Sequence, residues 1–114
     1  MTYRLWRPDH LGLVIADLRK PASAKRVALR SHLTAVIDWL CRAQDRRDGE
    51  ADAGGVSAGW SFEDGWLPSY PETSGYIVET FLAAAEVLER SELRARANRV
   101  LDWELSIQQE DGSF

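Results

Sequence analysis

The chain has 114 residues, 45% of them apolar and 28% charged, which fits one globular domain or less and excludes a disordered segment. Its net charge of −4 leaves no clustered Lys/Arg surface for nucleic acid: Arg46-Arg47 and Arg90, Arg94, Arg96 and Arg99 all have acids nearby and read as solvated helix faces. A single cysteine, Cys41, excludes an intrachain disulfide and reads as a small buried side chain in a helix rather than a nucleophile.

Residues 1–21 read as an N-terminal arm or short helix. Leu11, Val14, Ile15 and Leu18 recur at helical spacing, Asp9 is placed to cap, and Pro21 to terminate. The apolar run Leu13-Val14-Ile15-Ala16 is too short for a signal peptide or a membrane span, so a cytoplasmic protein is expected. The remainder, 22–114, holds three stronger helical signals. Over about 23–45, Val27, Leu29, Leu33, Val36, Ile37 and Leu40 form an apolar stripe, with Ser23 as N-cap and Arg46, Arg47 and Gly49 as the stop. Over about 74–90, Ile77, Phe81, Ala84, Ala85 and Leu88 share a face. Over about 92–109, Leu93, Ala97, Val100, Leu101 and Leu105 do, with Ser91 as N-cap. The short break between these two predicts an antiparallel αα-hairpin. No segment alternates with period two long enough for a strand, so the class is all-α.

Residues 46–73 form a long connection. It carries Gly49, Gly54, Gly55, Gly59 and Gly65, with Gly75 just beyond, and the aromatics Trp60, Phe62, Trp66 and Tyr70, followed by Tyr76. A loop of this length in a compact domain is often functional, and a disordered linker would not carry so many aromatics.

The chain also repeats itself. Asp38-Trp39-Leu40-Cys41-Arg42-Ala43-Gln44 aligns with Asp102-Trp103-Glu104-Leu105-Ser106-Ile107-Gln108 at an offset of 64 residues; an Asp-Gly follows each, Asp48-Gly49 and Asp111-Gly112. A repeat closed by a turn signal points to an architecture built from copies of one unit.

The order helix, Trp-x4-Gln, Asp-Gly, aromatic resembles the Gln–Trp motif of the terpenoid cyclase and protein prenyltransferase (α/α) toroids. The resemblance loosely covers residues 30–114 and is closest in Gln108-Gln109-Glu110-Asp111-Gly112-Ser113-Phe114. It implies a partial toroid of about four helices in antiparallel hairpins, with Gln44 and Gln108 as ties between adjacent turns and Phe114 where the family prefers Trp. An insertion separates Asp48-Gly49 from Trp60 and Phe62, which departs from the pattern. The motif's role in that family is structural. Because a closed toroid needs about a dozen helices, the resemblance also implies an N-terminal fragment of a larger toroid, with an exposed helical edge open to self-association. The segment Tyr70-Pro71-Glu72-Thr73-Ser74-Gly75-Tyr76 is similar to an element of cyclase-like toroid proteins of bacterial polysaccharide biosynthesis.

Those resemblances direct attention to the loop before the third helix. A carbohydrate site needs flat aromatic faces, here Trp60, Trp66, Tyr70 and Tyr76, and carboxylates, here Glu63, Asp64 and Glu72. Tyr70, Tyr76, Glu72 and Asp64 are the candidate catalytic groups. Structural roles compete: Glu72 can satisfy the first-turn amides of a helix, Pro71 and Gly75 can shape a turn, and the aromatics can close the helical stack. Glu79 is expected to face solvent or pair with Lys/Arg. His10 and His32 lack partners at ligand spacing, so no metal site is expected, and no cofactor. Gly54-Gly55 lacks the Lys and Ser/Thr of a phosphate loop, and no nucleophile elbow is present. The prenyltransferase zinc ligands have no counterpart, and the cyclase Asp-x-Asp-Asp motif is absent, which favours a saccharide ligand over an isoprenoid one. The alternatives are a fragment of a terpenoid cyclase- or prenyltransferase-like enzyme and a non-catalytic helical-repeat interaction module.

Overall fold

The computed structural model describes residues 7–19 and 28–114. The order is α1 (Pro8–Leu18), α2 (Leu29–Asp45), β1 (Trp60–Ser61), β2 (Gly65–Trp66), α3 (Pro71–Val87) and α4 (Glu92–Ile107). The chain is mostly helical, with one small antiparallel hairpin pairing Trp60 with Trp66 and Ser61 with Gly65. That hairpin was not expected. Two residues per strand are too few to show alternation, and Gly65, at φ +74°, serves its turn. The expected N-cap Ser23 and stop Pro21 lie outside the described residues.

α3 and α4 form the expected antiparallel hairpin. Their connection is tight because α3 ends in a Schellman motif: the Arg90 amide donates to the Ala85 carbonyl (2.9 Å) and the Glu89 amide to that of Glu86 (3.2 Å). Glu89 occupies the left-handed position, φ 55°, where glycine is usual. Ser91 stands at the N-cap of α4 but makes no side-chain capping bond. α3 begins at Pro71, a few residues earlier than its periodicity predicts. Proline suits the first helical position because its fixed φ is already helical and its missing N–H loses nothing there. Asp9 likewise lies inside α1, whose N-cap is Arg7.

One core joins three helices and the loop. Ile37, Cys41 and Ala43 of α2 meet Val56, then Val78, Phe81, Ala84 and Ala85 of α3 with Leu88, and Leu93, Ala97 and Val100 of α4. Burial of Cys41 raises its thiol pKa, consistent with a packing role. The predicted stripes are partly displaced. On α2, Leu29 (85%) and Val36 (54%) are exposed, and the buried face shifts toward Ala43 and Gln44. On α4, Leu101 and Leu105 are exposed while Trp103 is buried. Each helix has more apolar positions than one neighbour can cover. α1 meets the body through His10, which contacts the rings of Trp60 (5.7 Å) and Phe62 (5.2 Å); Leu11, Leu13 and Leu18 are exposed.

The long connection is ordered by side chains that replace a ladder. Arg47 donates from Nη2 (2.7 Å) and Nε to the Asp52 carboxylate, which also accepts from the Ser69 amide. Arg47 holds Asp52 well below the usual carboxylate range. Ser74, fully buried, accepts from the Val56 amide (3.0 Å) and donates to the Val56 carbonyl (3.3 Å). These contacts draw residues 52–57 against the start of α3.

The repeat is visible as geometry. Gly49 and Gly112 share a positive φ, 86° and 87°, although the turns around them are hydrogen-bonded differently, Glu50 N–H to the Arg47 carbonyl and Gly112 N–H to that of Gln109. Gln44 is wholly buried; its Nε2 donates to the carbonyls of Gly54 (3.0 Å) and Arg96 (3.1 Å), and Arg96 donates back to its Oε1 (3.1 Å). Gln44 therefore ties α2 to the loop and to the second turn of α4. Gln108 is exposed and donates locally to the Gly112 carbonyl (2.9 Å). The repeat tryptophans differ too. Trp103 lies on Gly54-Gly55, where a Cβ on Gly55 would sit 2.7 Å from its ring, whereas Trp39 packs on Trp66 at 5.2 Å. The arginines are paired as expected: Arg96 with Asp45, Arg99 with Asp48, Arg90 with Asp38 and Glu92, and Arg94 with Glu86.

Candidate functional site

The turn into α3 builds a cleft of about 730 Å³ lined by Tyr70, Pro71, Glu72, Gly75, Tyr76, Glu79, Glu104 and Phe114. Its construction follows from local rules. A residue before proline is held extended, and Tyr70 has φ −120° and ψ 122°, so the chain arrives as a strand and turns into helix at Pro71. The Tyr70 carbonyl accepts from the Ser74 amide (3.0 Å) and the Thr73 hydroxyl (3.2 Å), closing the first turn. Glu72, Gly75, Tyr76 and Glu79 then fall at i, i+3, i+4 and i+7, one face of a helix. α4 presents Glu104 to that face. Gly75 makes room for it, since a Cβ there would lie 3.1 Å from Glu104 Oε1.

The cleft is acidic and aromatic. Among the described residues, Glu72, Glu79 and Glu104 have no ion-pair or side-chain hydrogen-bond partner given by the geometry, and no Lys or Arg lines the cleft. Glu104 Oε1 is buried without a hydrogen-bond partner, and burial raises its carboxyl pKa. Tyr70 and Tyr76 are exposed, Tyr76 by 72%, as is Phe114. They offer open ring faces beside the carboxylates.

Of the residues singled out in the sequence, Tyr70, Glu72 and Tyr76 converge here. Glu72 stands in the first turn of α3, where a carboxylate favours the helix N-terminus, so its structural role is kept alongside its place in the cleft. Trp60, Trp66 and Asp64 lie elsewhere. Trp60 packs on His10 and Phe62, Trp66 packs on Trp39 and the core, and exposed Asp64 closes the hairpin turn through its amide on Ser61 Oγ (2.9 Å). Glu63 does not line the cleft either. Glu79, expected to face solvent or pair with Lys/Arg, is exposed and also lines the cleft, whereas Glu104 was not expected there. The spacing 72-75-76-79 was the available signal for Glu79; Glu104 depends on how α4 packs and has no local signature.

A second, smaller depression of about 380 Å³ lies beside Trp103, with Arg99 and Asp102 on its rim. Among the described residues no group of three or more His, Cys, Asp or Glu is arranged to hold a metal ion, and no helix is long and apolar enough to cross a membrane. No protein-family model, no curated protein and no solved structure matches the chain.

Proposed function

We propose that this chain belongs to a toroid-type protein of stacked helical hairpins that binds or acts on carbohydrate in bacterial polysaccharide biosynthesis, with the Tyr70–Glu79 cleft as its saccharide site. The observation that carries this reading is the convergence of Tyr70, Glu72 and Tyr76 with Glu104 in one open cleft. Sugar rings present C–H faces that stack on aromatic rings and hydroxyls that donate to carboxylates. The cleft supplies both. An isoprenoid diphosphate is disfavoured, because three carboxylates without a lining cation repel phosphate. The shared positive φ of Gly49 and Gly112 supports the repeat, although Gln44 and Gln108 do not act alike.

Calorimetric titration of the chain with neutral, amino and uronic oligosaccharides, in parallel with farnesyl diphosphate, tests the proposal. The expected result is saccharide binding that Tyr76→Ala abolishes. Diphosphate binding without any saccharide binding overturns it. An interaction module without a ligand is the second reading, favoured by the exposed Leu101 and Leu105 on α4 and Leu82 and Val87 on α3.

A further inference from the structure

We infer that the ligand of this cleft carries a free, protonated amine: an amino-sugar unit, rather than its N-acetylated or uronic counterpart. The inference rests on the carbohydrate reading above and narrows it.

Three features of the cleft point the same way. First, its lining includes the carboxylates of Glu72, Glu79 and Glu104 and no Lys or Arg, so a cation is attracted and a uronate is repelled. Second, Glu104 lines the cleft, and its Oε1 is buried against Gly75 with no donor. A carboxylate in that condition lacks a hydrogen bond it would have in water. An ammonium group brings three N–H donors and a compensating charge, whereas a hydroxyl brings one donor and none. Third, Tyr70, Tyr76 and Phe114 flank the carboxylates with open ring faces, and aromatic faces attract cations as well as sugar C–H surfaces. N-acetylation removes the charge that these carboxylates attract.

The test is titration of the chain with a glucosamine tetramer, its fully N-acetylated form and a galacturonate tetramer. The free-amine tetramer is expected to bind at least about tenfold more tightly than the N-acetylated one, as one charge-assisted contact predicts. Galacturonate is expected not to bind. Glu104→Gln should weaken the amine ligand about tenfold, and Tyr76→Ala should weaken it without changing the melting temperature. Glu110→Gln, exposed and outside the cleft, is the control for bulk attraction to the net charge. Equal or tighter binding of the N-acetylated or uronic tetramer overturns the amine inference and leaves the carbohydrate reading standing. An equal loss in Glu110→Gln and Glu104→Gln overturns the inference as well. If no saccharide binds, both fall.

Discussion

Asp52→Asn should loosen the long connection and with it the wall of the cleft. Asp52 accepts from Arg47 Nη2 at 2.7 Å and Nε at 3.0 Å, and from the Ser69 amide, one residue before Tyr70. The side chains of Arg47 and Asp52 are only 13% and 20% exposed, so water replaces these contacts poorly. Hydrogen bonds to charged groups contribute about 1.5–3 kcal/mol, and Asn keeps a weaker bond from Ser69 while leaving the Arg47 charge unmatched. The expected cost is about 2–4 kcal/mol, which at this chain length lowers the melting temperature on the order of 10–20 °C. Thermal melts followed by circular dichroism at pH 7 measure it, and hydrogen exchange at Ser69 and Tyr70 shows where protection is lost. A cost under about 0.5 kcal/mol, the range of an ordinary surface substitution, would refute the view that this staple orders the loop.

The same pair sets the acid limb of stability. Asp52 has a folded pKa below its unfolded value, so its contribution is complete above the unfolded carboxylate range, near pH 4, and is lost as pH falls toward the folded value; urea titrations from pH 6 to pH 2 should show a decline that is shallower in Asp52→Asn. Gly55→Ala places a Cβ 2.6 Å from Ser69 Cβ and 2.7 Å from the Trp103 ring; overpacking of this kind should cost about 1–3 kcal/mol in a chemical denaturation curve. Gln44→Ala removes bonds to Gly54 and Arg96 and leaves buried carbonyls unmet; a loss of about 2–4 kcal/mol is expected, and a neutral result would show that α2 is not tied to α4 through this residue. Glu89→Gly relieves a left-handed residue at φ 55° and should raise stability by about 0.5–1 kcal/mol in the same assay.

Local signals made much of the helical framework legible. The αα-hairpin followed from the apolar rows of α3 and α4 and the short break between them, and Cys41 was correctly read as a core side chain. Boundaries depended on chemistry that periodicity does not carry: Pro71 starts α3 early because proline needs no amide partner there. Leu101, Leu105 and Val36 match the helical period yet face outward, because which apolar row is covered depends on the neighbour and not on the row. The hairpin at Trp60–Trp66 was too short to alternate. Within the cleft, Tyr70, Glu72 and Tyr76 were legible because one short segment carries them. Trp60 and Trp66 were drawn away by partners distant in sequence, His10 and Trp39. Glu104 entered through the packing of α4 on Gly75, a contact between helices that no local pattern encodes.

The most direct test of the central claim is a heteronuclear NMR titration of the labelled chain with the oligosaccharides named above. If the cleft at the start of α3 is the saccharide site, amide shifts should concentrate at Tyr70, Glu72, Gly75, Tyr76, Glu79 and Glu104, while the Trp60–Trp66 hairpin stays still. Shifts centred on the hairpin or on the exposed Leu101–Leu105 face, with the cleft unmoved, would contradict it.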